Sequence, residues 1–350
     1  METQKALLLP SKQGEWVIGT VAVAKPGPGQ LLVKIEATAL NPADWKIQVY
    51  GVLFETFPVI LGSDAAGIVI ELGEGVQGFA VGDRVFFQGY FVDSARSTYQ
   101  QYALSNADVT AKIPKNISVE QAATIPACIA TPALGLFDRC HEDSAKLFPP
   151  WEDGGQGKYI GKPIVIFGGA TSVGQYAIQL VRLAGFGPII TTASLKNTTL
   201  LNELGATHVL DRDLPPEALL AQIAALANAP IEIVFDAVSL PQTQNAAFDI
   251  LTPEGQVIIV TQDAIDQEKK RLAPRKRAVV VLGNVSAPGR EQTGRGLYAK
   301  LTELVGSGAI KPNRVELLAN GLAGIPYGLK RMQEDRVSAV KLVVRPHETP

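Results

Sequence analysis

Cysteine and histidine are scarce in this chain: two and three residues among 350. Cys128 and Cys140 form no CxxC pair. Neither a disulfide framework nor a cysteine-rich metal lobe is expected, and both are read as reduced thiols. A zinc ion takes three or four N, S or O ligands at short range. His141, His208 and His347 are scattered singly, so no metal site is expected and no chemistry is assigned to them. An excess of charge is missing too. The net charge of −2 leaves no electrostatic footprint for nucleic acid or an anionic membrane. No apolar run reaches the roughly 18 to 20 residues of a membrane helix. The opening Met1-Glu2-Thr3-Gln4-Lys5 lacks a secretory pattern. No internal repeat or low-complexity tract is visible. Together these absences predict a soluble cytoplasmic protein.

What is present is a globular composition, 46% hydrophobic and 19% charged, in a chain long enough for two domains. The first ~130 residues read as short strands broken by Gly and Pro, such as Leu31–Ala37, Ala66–Leu72 and Val85–Phe87, and suggest a partly closed β structure. Near residue 120 the texture turns helical. Thr131-Pro132 reads as a helix start, with Pro132 in the first turn and Thr131 as its cap. Residues 141–162 are polar, rich in Gly and Pro, and read as a loop insertion. From 163 to about 285, apolar strands alternate with helices, the rhythm of a doubly wound parallel sheet. A helix is expected over Leu297–Val305. The last strand, Val340–Val344, is expected to return to the β-rich first domain. The basic clusters Lys269–Arg271 and Arg275–Arg277 read as a solvated loop.

Ile164-Val165-Ile166-Phe167-Gly168-Gly169-Ala170-Thr171-Ser172-Val173-Gly174 runs strand, glycine turn, helix start. Backbone N–H groups and the positive helix end there suit a pyrophosphate. Gly169 and Gly174 fill the outer places of GxGxxG, and Thr171 takes the middle one, offering a hydroxyl to phosphate at some cost in backbone closeness. About twenty residues on, NAD-specific enzymes carry an acid for the ribose hydroxyl. Here Ser194, Lys196 and Asn197 stand instead, a set suited to a 2′-phosphate, so NADPH is the expected cofactor.

Five segments, that loop among them, resemble the medium-chain dehydrogenase/reductase superfamily. They are Asn41-Pro42-Ala43-Asp44-Trp45-Lys46, Pro58–Gly67, Val81-Gly82-Asp83-Arg84-Val85, the glycine loop and Leu204-Gly205-Ala206. The similarity covers nearly the whole chain and is nearest to fungal quinone-oxidoreductase-like proteins and the trans-acting enoyl reductases of polyketide synthases. It implies an α/β fold with a GroES-like β-barrel domain (1–128 and 300–350) and a Rossmann doubly wound parallel-sheet domain (129–299), with catalysis in the cleft between them. Zinc-dependent members carry Gly-His-Glu where this chain has Gly62-Ser63-Asp64, which sharpens the expectation of a zinc-independent enzyme.

Without a Lewis acid, a simple alkoxide is hard to stabilise. A conjugated acceptor spreads the charge onto a carbonyl oxygen that hydrogen-bond donors can serve. The expected reaction is therefore NADPH-dependent reduction of a conjugated double bond in an enone, enal or enoyl thioester. The alternatives are a quinone reductase and, from another class, a low-activity NADPH-binding partner subunit. The resemblance places Lys46 beside substrate or cofactor phosphate, Asn41 along the nicotinamide and Thr131 near its amide. Val238, Ser239, Val260 and Asn284 are strand-end candidates for cofactor contact. Asp44 is expected to pair locally, without an acid role. Expected partners are a small conjugated carbonyl compound, extending to a carrier-bound acyl chain, and a polyketide synthase; monomer and homodimer both stay open.

Overall fold

The computed structural model describes residues 2–350. The chain divides into two compact units, Met1–Ala127 with Leu301–Gly306 and Pro312–Pro350, and Cys128–Lys300 with Ser307–Lys311. Among the described residues no helix is long and apolar enough to cross a membrane.

The first unit begins with β1 (Thr3–Leu9), β2 (Val17–Ala22), β3 (Gln30–Ala39), β4 (Val59–Ile60), β5 (Asp64–Leu72), β6 (Arg84–Gln88), β7 (Tyr102–Asn106) and β8 (Thr110–Lys112). Strand β3 organises it. Its ten residues pair antiparallel with β5 on one side and partly with β7 on the other. Two register shifts in the β3–β5 ladder bend the pair, as bulges do, so both faces of β3 become buried. Leu31, Val33 and Ile35 enter one core with Val69, Val85 and Phe87. Leu7, Leu9, Leu61 and Tyr99 anchor another.

The second unit holds β9 (Ile164–Phe167), β10 (Ile189–Ala193), β11 (His208–Asp211), β12 (Ile233–Asp236), β13 (Gln256–Ile259) and β14 (Arg277–Val280). They form one six-stranded sheet in the order β11-β10-β9-β12-β13-β14, with every pairing parallel. Counting from β9, this is the doubly wound order 3-2-1-4-5-6, whose direction reverses between β9 and β12. The strands are short apolar runs because helices cover both faces.

The tail supplies β15 (Arg314–Leu317) and β16 (Val340–Val344). As the sequence leads one to expect, β16 returns to the first unit, pairing Val343 with Ala39 and Val344 with Thr38.

Three local expectations are corrected. The helix expected to start at Thr131-Pro132 spans Pro126–Phe137, so Pro132 lies inside it. An interior proline costs about 3 kcal/mol. Burial of Cys128, Ile129, Ala130, Ala133, Leu134, Leu136 and Phe137 offsets that cost. The helix expected over Leu297–Val305 runs Glu291–Gly306. Its first turns lack the apolar spacing that marks the later ones, where Leu297, Leu301 and Val305 are buried. Lys269–Arg271 lie in a short helix, Gln267–Leu272, rather than a loop. Asp266 caps it by accepting the N–H groups of Glu268 and Lys269.

Residues 141–162 contain turns and no helix or strand. The segment starts from a fixed point. Asp138 and Arg290 form a buried ion pair of 3.0 Å, and the Thr293 hydroxyl donates to Asp138 at 2.9 Å.

Candidate cofactor and active-site residues

In the second unit, β9 ends at Phe167 and the chain turns through Gly168, at φ +76°. The helix Ser172–Leu183 follows, with Thr171 at its N-cap accepting the Gly174 N–H at 2.9 Å. That bond uses an oxygen lone pair and leaves the Thr171 hydroxyl proton available to donate. A Cβ on Gly174 would stand 2.2 Å from the Gly168 carbonyl oxygen, so the turn closes this tightly only with glycine there. Ala170, Thr171, Ser172 and Val173 line the turn, partly exposed, above the positive end of the helix.

Strand β10 ends beside this turn, where the Thr192 hydroxyl accepts the Gly168 N–H at 3.0 Å. Ser194 follows, partly exposed, and Lys196 stands in solvent on a single 3₁₀ turn. Asn197 is buried at the start of the next helix. No carboxylate occurs between Thr192 and Leu200.

The end of β12 is built around Asp236. Its carboxylate accepts the N–H groups of Val238 and Ser239, at 3.0 and 2.8 Å, and the Thr243 hydroxyl at 2.6 Å. Burial pushes this acid above its ordinary range, and the three donors hold it back. The network keeps Ser239 in the left-handed region, φ +53°. The Ser239 hydroxyl donates to the Asp236 carbonyl at 2.6 Å and accepts the Val260 N–H at 2.9 Å, joining the ends of β12 and β13. Val238 lies directly over Gly168. The structure thus gathers Gly169–Gly174, Val238, Ser239 and Val260 at the strand ends around the reversal point. Thr131 packs against Gly283, which precedes Asn284, whose Oδ1 accepts the Ser286 N–H at 2.9 Å.

In the first unit, Asn41 and Lys46 lie at and within the helix Pro42–Tyr50. Asn41 belongs to a buried polar network. Its Nδ2 donates to Asp64 at 2.7 Å and to Ser63 at 3.3 Å, and its Oδ1 accepts from Lys341. Lys341 also pairs with Asp64 at 3.2 Å, and the other Asp64 oxygen accepts the Ala127 N–H at 2.6 Å. Asp44 Oδ2 accepts the Asn41 N–H at 2.8 Å and the Tyr99 hydroxyl at 2.6 Å. Asp44 Oδ1, fully buried, has no partner. Burial pushes the Asp44 acid from its usual 3.8 to about 6, against the pull of Tyr99, the Asn41 N–H and Lys341. Burial, then the nearby Asp44 charge, drives the Tyr99 phenol well above its ordinary value. Lys46 stays outside this network. Its ammonium lies 5.8 Å from the Trp45 ring centroid, and partial burial lowers its pKa.

Sequence reasoning missed Asp64, Tyr99, Lys341 and Asp236, and undervalued Asp44. A lone lysine inside the apolar run Val340-Lys341-Leu342-Val343-Val344 was a readable signal, because buried charge demands a partner. So was the three-residue spacing of Asn41 and Asp44, which matches the reciprocal cap of a helix start. Nothing in the sequence marked Tyr99. Among the described residues, no three His, Cys, Asp or Glu side chains gather as a metal ion requires.

Residues 27–115 match the family model described as "Alcohol dehydrogenase GroES-like domain", and residues 172–287 that described as "Zinc-binding dehydrogenase". The chain is 30% identical over 360 residues to the trans-enoyl reductase grgB of a Penicillium species, covering 98% of each chain. A solved alcohol dehydrogenase superfamily protein of Novosphingobium aromaticivorans superposes with TM-score 0.80 at 25% identity, over 98% of this chain and 99% of that one. Mycobacterial Rv1454c, solved with NADPH, has the same fold at TM-score 0.77 and 21% identity, over 98% of this chain and 100% of that one. The glycine turn at the sheet's reversal point and these full-length matches identify the chain as an oxidoreductase that belongs to the medium-chain dehydrogenase/reductase superfamily.

Proposed function

We propose that the protein uses NADPH to reduce a carbon–carbon double bond conjugated to a carbonyl, without a zinc ion. The observation that carries this reading is the state of the buried acids in the first unit. Asp64 is already paired with Lys341, and Asp44 is bound to Tyr99 and the Asn41 N–H. That donor set does not fit zinc, which takes Cys, His and free carboxylate at short range. A reaction whose charge is spread over a conjugated carbonyl suits such a site. The name of the Penicillium relative points the same way.

The turn Gly169–Gly174 and the helix end behind it fit a pyrophosphate. Ser194, Lys196 and Asn197, with no acid nearby, favour a 2′-phosphate over a free ribose hydroxyl. Val238, Ser239, Val260, Asn284, Thr131 and Asn41 are assigned to the remaining cofactor contacts. NADPH, when bound, supplies a hydride for the β-carbon of the acceptor. Lys46 then donates a hydrogen bond to the carbonyl oxygen as negative charge gathers there. Its desolvated ammonium is a stronger donor than one in water. A proton from solvent reaches the α-carbon and completes the saturated product. Enoyl thioesters carried by a polyketide synthase fall within this substrate class.

Rates of NADPH and NADH oxidation with enones, enoyl thioesters and quinones test the proposal. Turnover of enones or enoyl thioesters with NADPH, at least about tenfold above NADH in kcat/KM, is expected. Turnover of quinones alone would assign the protein as a quinone reductase. NADPH binding without turnover on any acceptor would make it a binding subunit. A stoichiometric divalent metal, lost together with activity on chelation, would overturn the zinc-free reading.

A further inference from the structure

Lys46 is the proposed donor, yet no polar group holds its ammonium. Among the described residues it has neither an ion-pair nor a hydrogen-bond partner, and its neighbour is the Trp45 ring. The position of Lys46 is therefore the position of the helix Pro42–Tyr50. That helix is only nine residues long, too short to stand on propensity alone.

Its first turn is clamped from two sides. Asp44 Oδ2 receives the Asn41 N–H from its own turn and the Tyr99 hydroxyl from a segment 55 residues away. The Asn41 side chain is in turn fixed by Asp64 and Lys341. The clamp is expensive. Asp44 is fully buried, leaves Oδ1 without a partner, and sits near a second acid. A neutral cap would hold a helix start at lower cost. What the Asp44 side chain adds beyond the cap is an acceptor for the Tyr99 hydroxyl, which ties the turn carrying Lys46 to the core.

We infer that Asp44 is a positioning residue of the reaction, acting through Lys46: the Tyr99–Asp44–Asn41 clamp sets the helix so that the lysine reaches the acceptor carbonyl. The inference rests on the role proposed above for Lys46.

A double-mutant cycle tests it, read as kcat and as KM for NADPH. Lys46→Met is expected to lower kcat. Asp44→Ala and Tyr99→Phe are each expected to lower kcat about tenfold or more, since a misplacement near 1 Å costs up to about a hundredfold. KM for NADPH stays within about twofold. Asp44→Asn, which keeps an acceptor oxygen for Tyr99, recovers most of the loss. In the Lys46→Met background, neither Asp44→Ala nor Tyr99→Phe lowers kcat further, because the contact being positioned is already gone. Tyr99→Phe removes one hydroxyl only and carries the test if Asp44→Ala fails to fold. Full, multiplicative losses in the Lys46→Met background would overturn the inference and leave the role of Lys46 standing. An unchanged kcat in Lys46→Met itself would overturn both.

Discussion

At the scale of single residues, the first unit keeps an acid where burial opposes its charge. The sign of its effect on stability follows from the raised Asp44 value. The folded state holds this proton more tightly than the unfolded chain, so Asp44 favours folding most below 3.8. That contribution is lost as pH rises through about 6, and stability is level above it. A shift of this size corresponds to about 3 kcal/mol for a fully buried group. Chemical denaturation of the wild type and of Asp44→Asn at several pH values should therefore diverge. The wild type loses about 3 kcal/mol relative to the variant between about pH 4 and about pH 7, and parallel curves would refute the assignment. The sequence already drew attention to Lys46 and Asn41. It concealed the burial of Asp44, because an acid three residues after a cap position looks the same whether it faces water or a tyrosine.

At the scale of elements, the glycine turn and its helix were legible because they are local. Strand, turn and helix start are contiguous, and the closeness that Gly174 permits is decided within seven residues. Thr171 in the middle place acts on its own helix by capping Gly174. Thr171→Val, which keeps the branched shape and removes the hydroxyl, should cost about 1 kcal/mol in chemical denaturation. No loss would show that the cap is replaceable by water. Other elements escaped local reading for physical reasons. Pro132 signals a helix start by its missing N–H, but the surrounding apolar residues bury well enough to carry it inside the helix Pro126–Phe137. The first turns of Glu291–Gly306 hold two glycines and no apolar stripe. They are fixed instead by Arg290 and Thr293 bonding to Asp138, more than 150 residues earlier.

At the scale of the whole chain, the first unit is closed by its last strand. Lys341 on β16 meets Asn41 from 300 residues away and supplies the cation for Asp64, which is fully buried. Removing one partner of such a pair leaves an uncompensated charge. Lys341→Met should destabilise the protein by about 3–5 kcal/mol. Adding Asp64→Asn should return part of that loss, because the two effects share one contact. Unfolding curves of the single and double variants check both statements, and strict additivity would show that the pair is not coupled.

The sequence by itself determined the alternating strands and helices of the second unit, the glycine turn between β9 and its helix, the lack of an acid after β10 and the return of the last strand. Each of these is written in neighbouring residues through period, glycine and charge. Only the tertiary structure decided which polar groups share a buried site. Asn41 and Asp44 share one helix start, and Asp64, Tyr99 and Lys341 come from three other segments. Their pairing is fixed by a bent sheet and a returning strand, because burial makes each charge seek the partner that chain folding brings within reach.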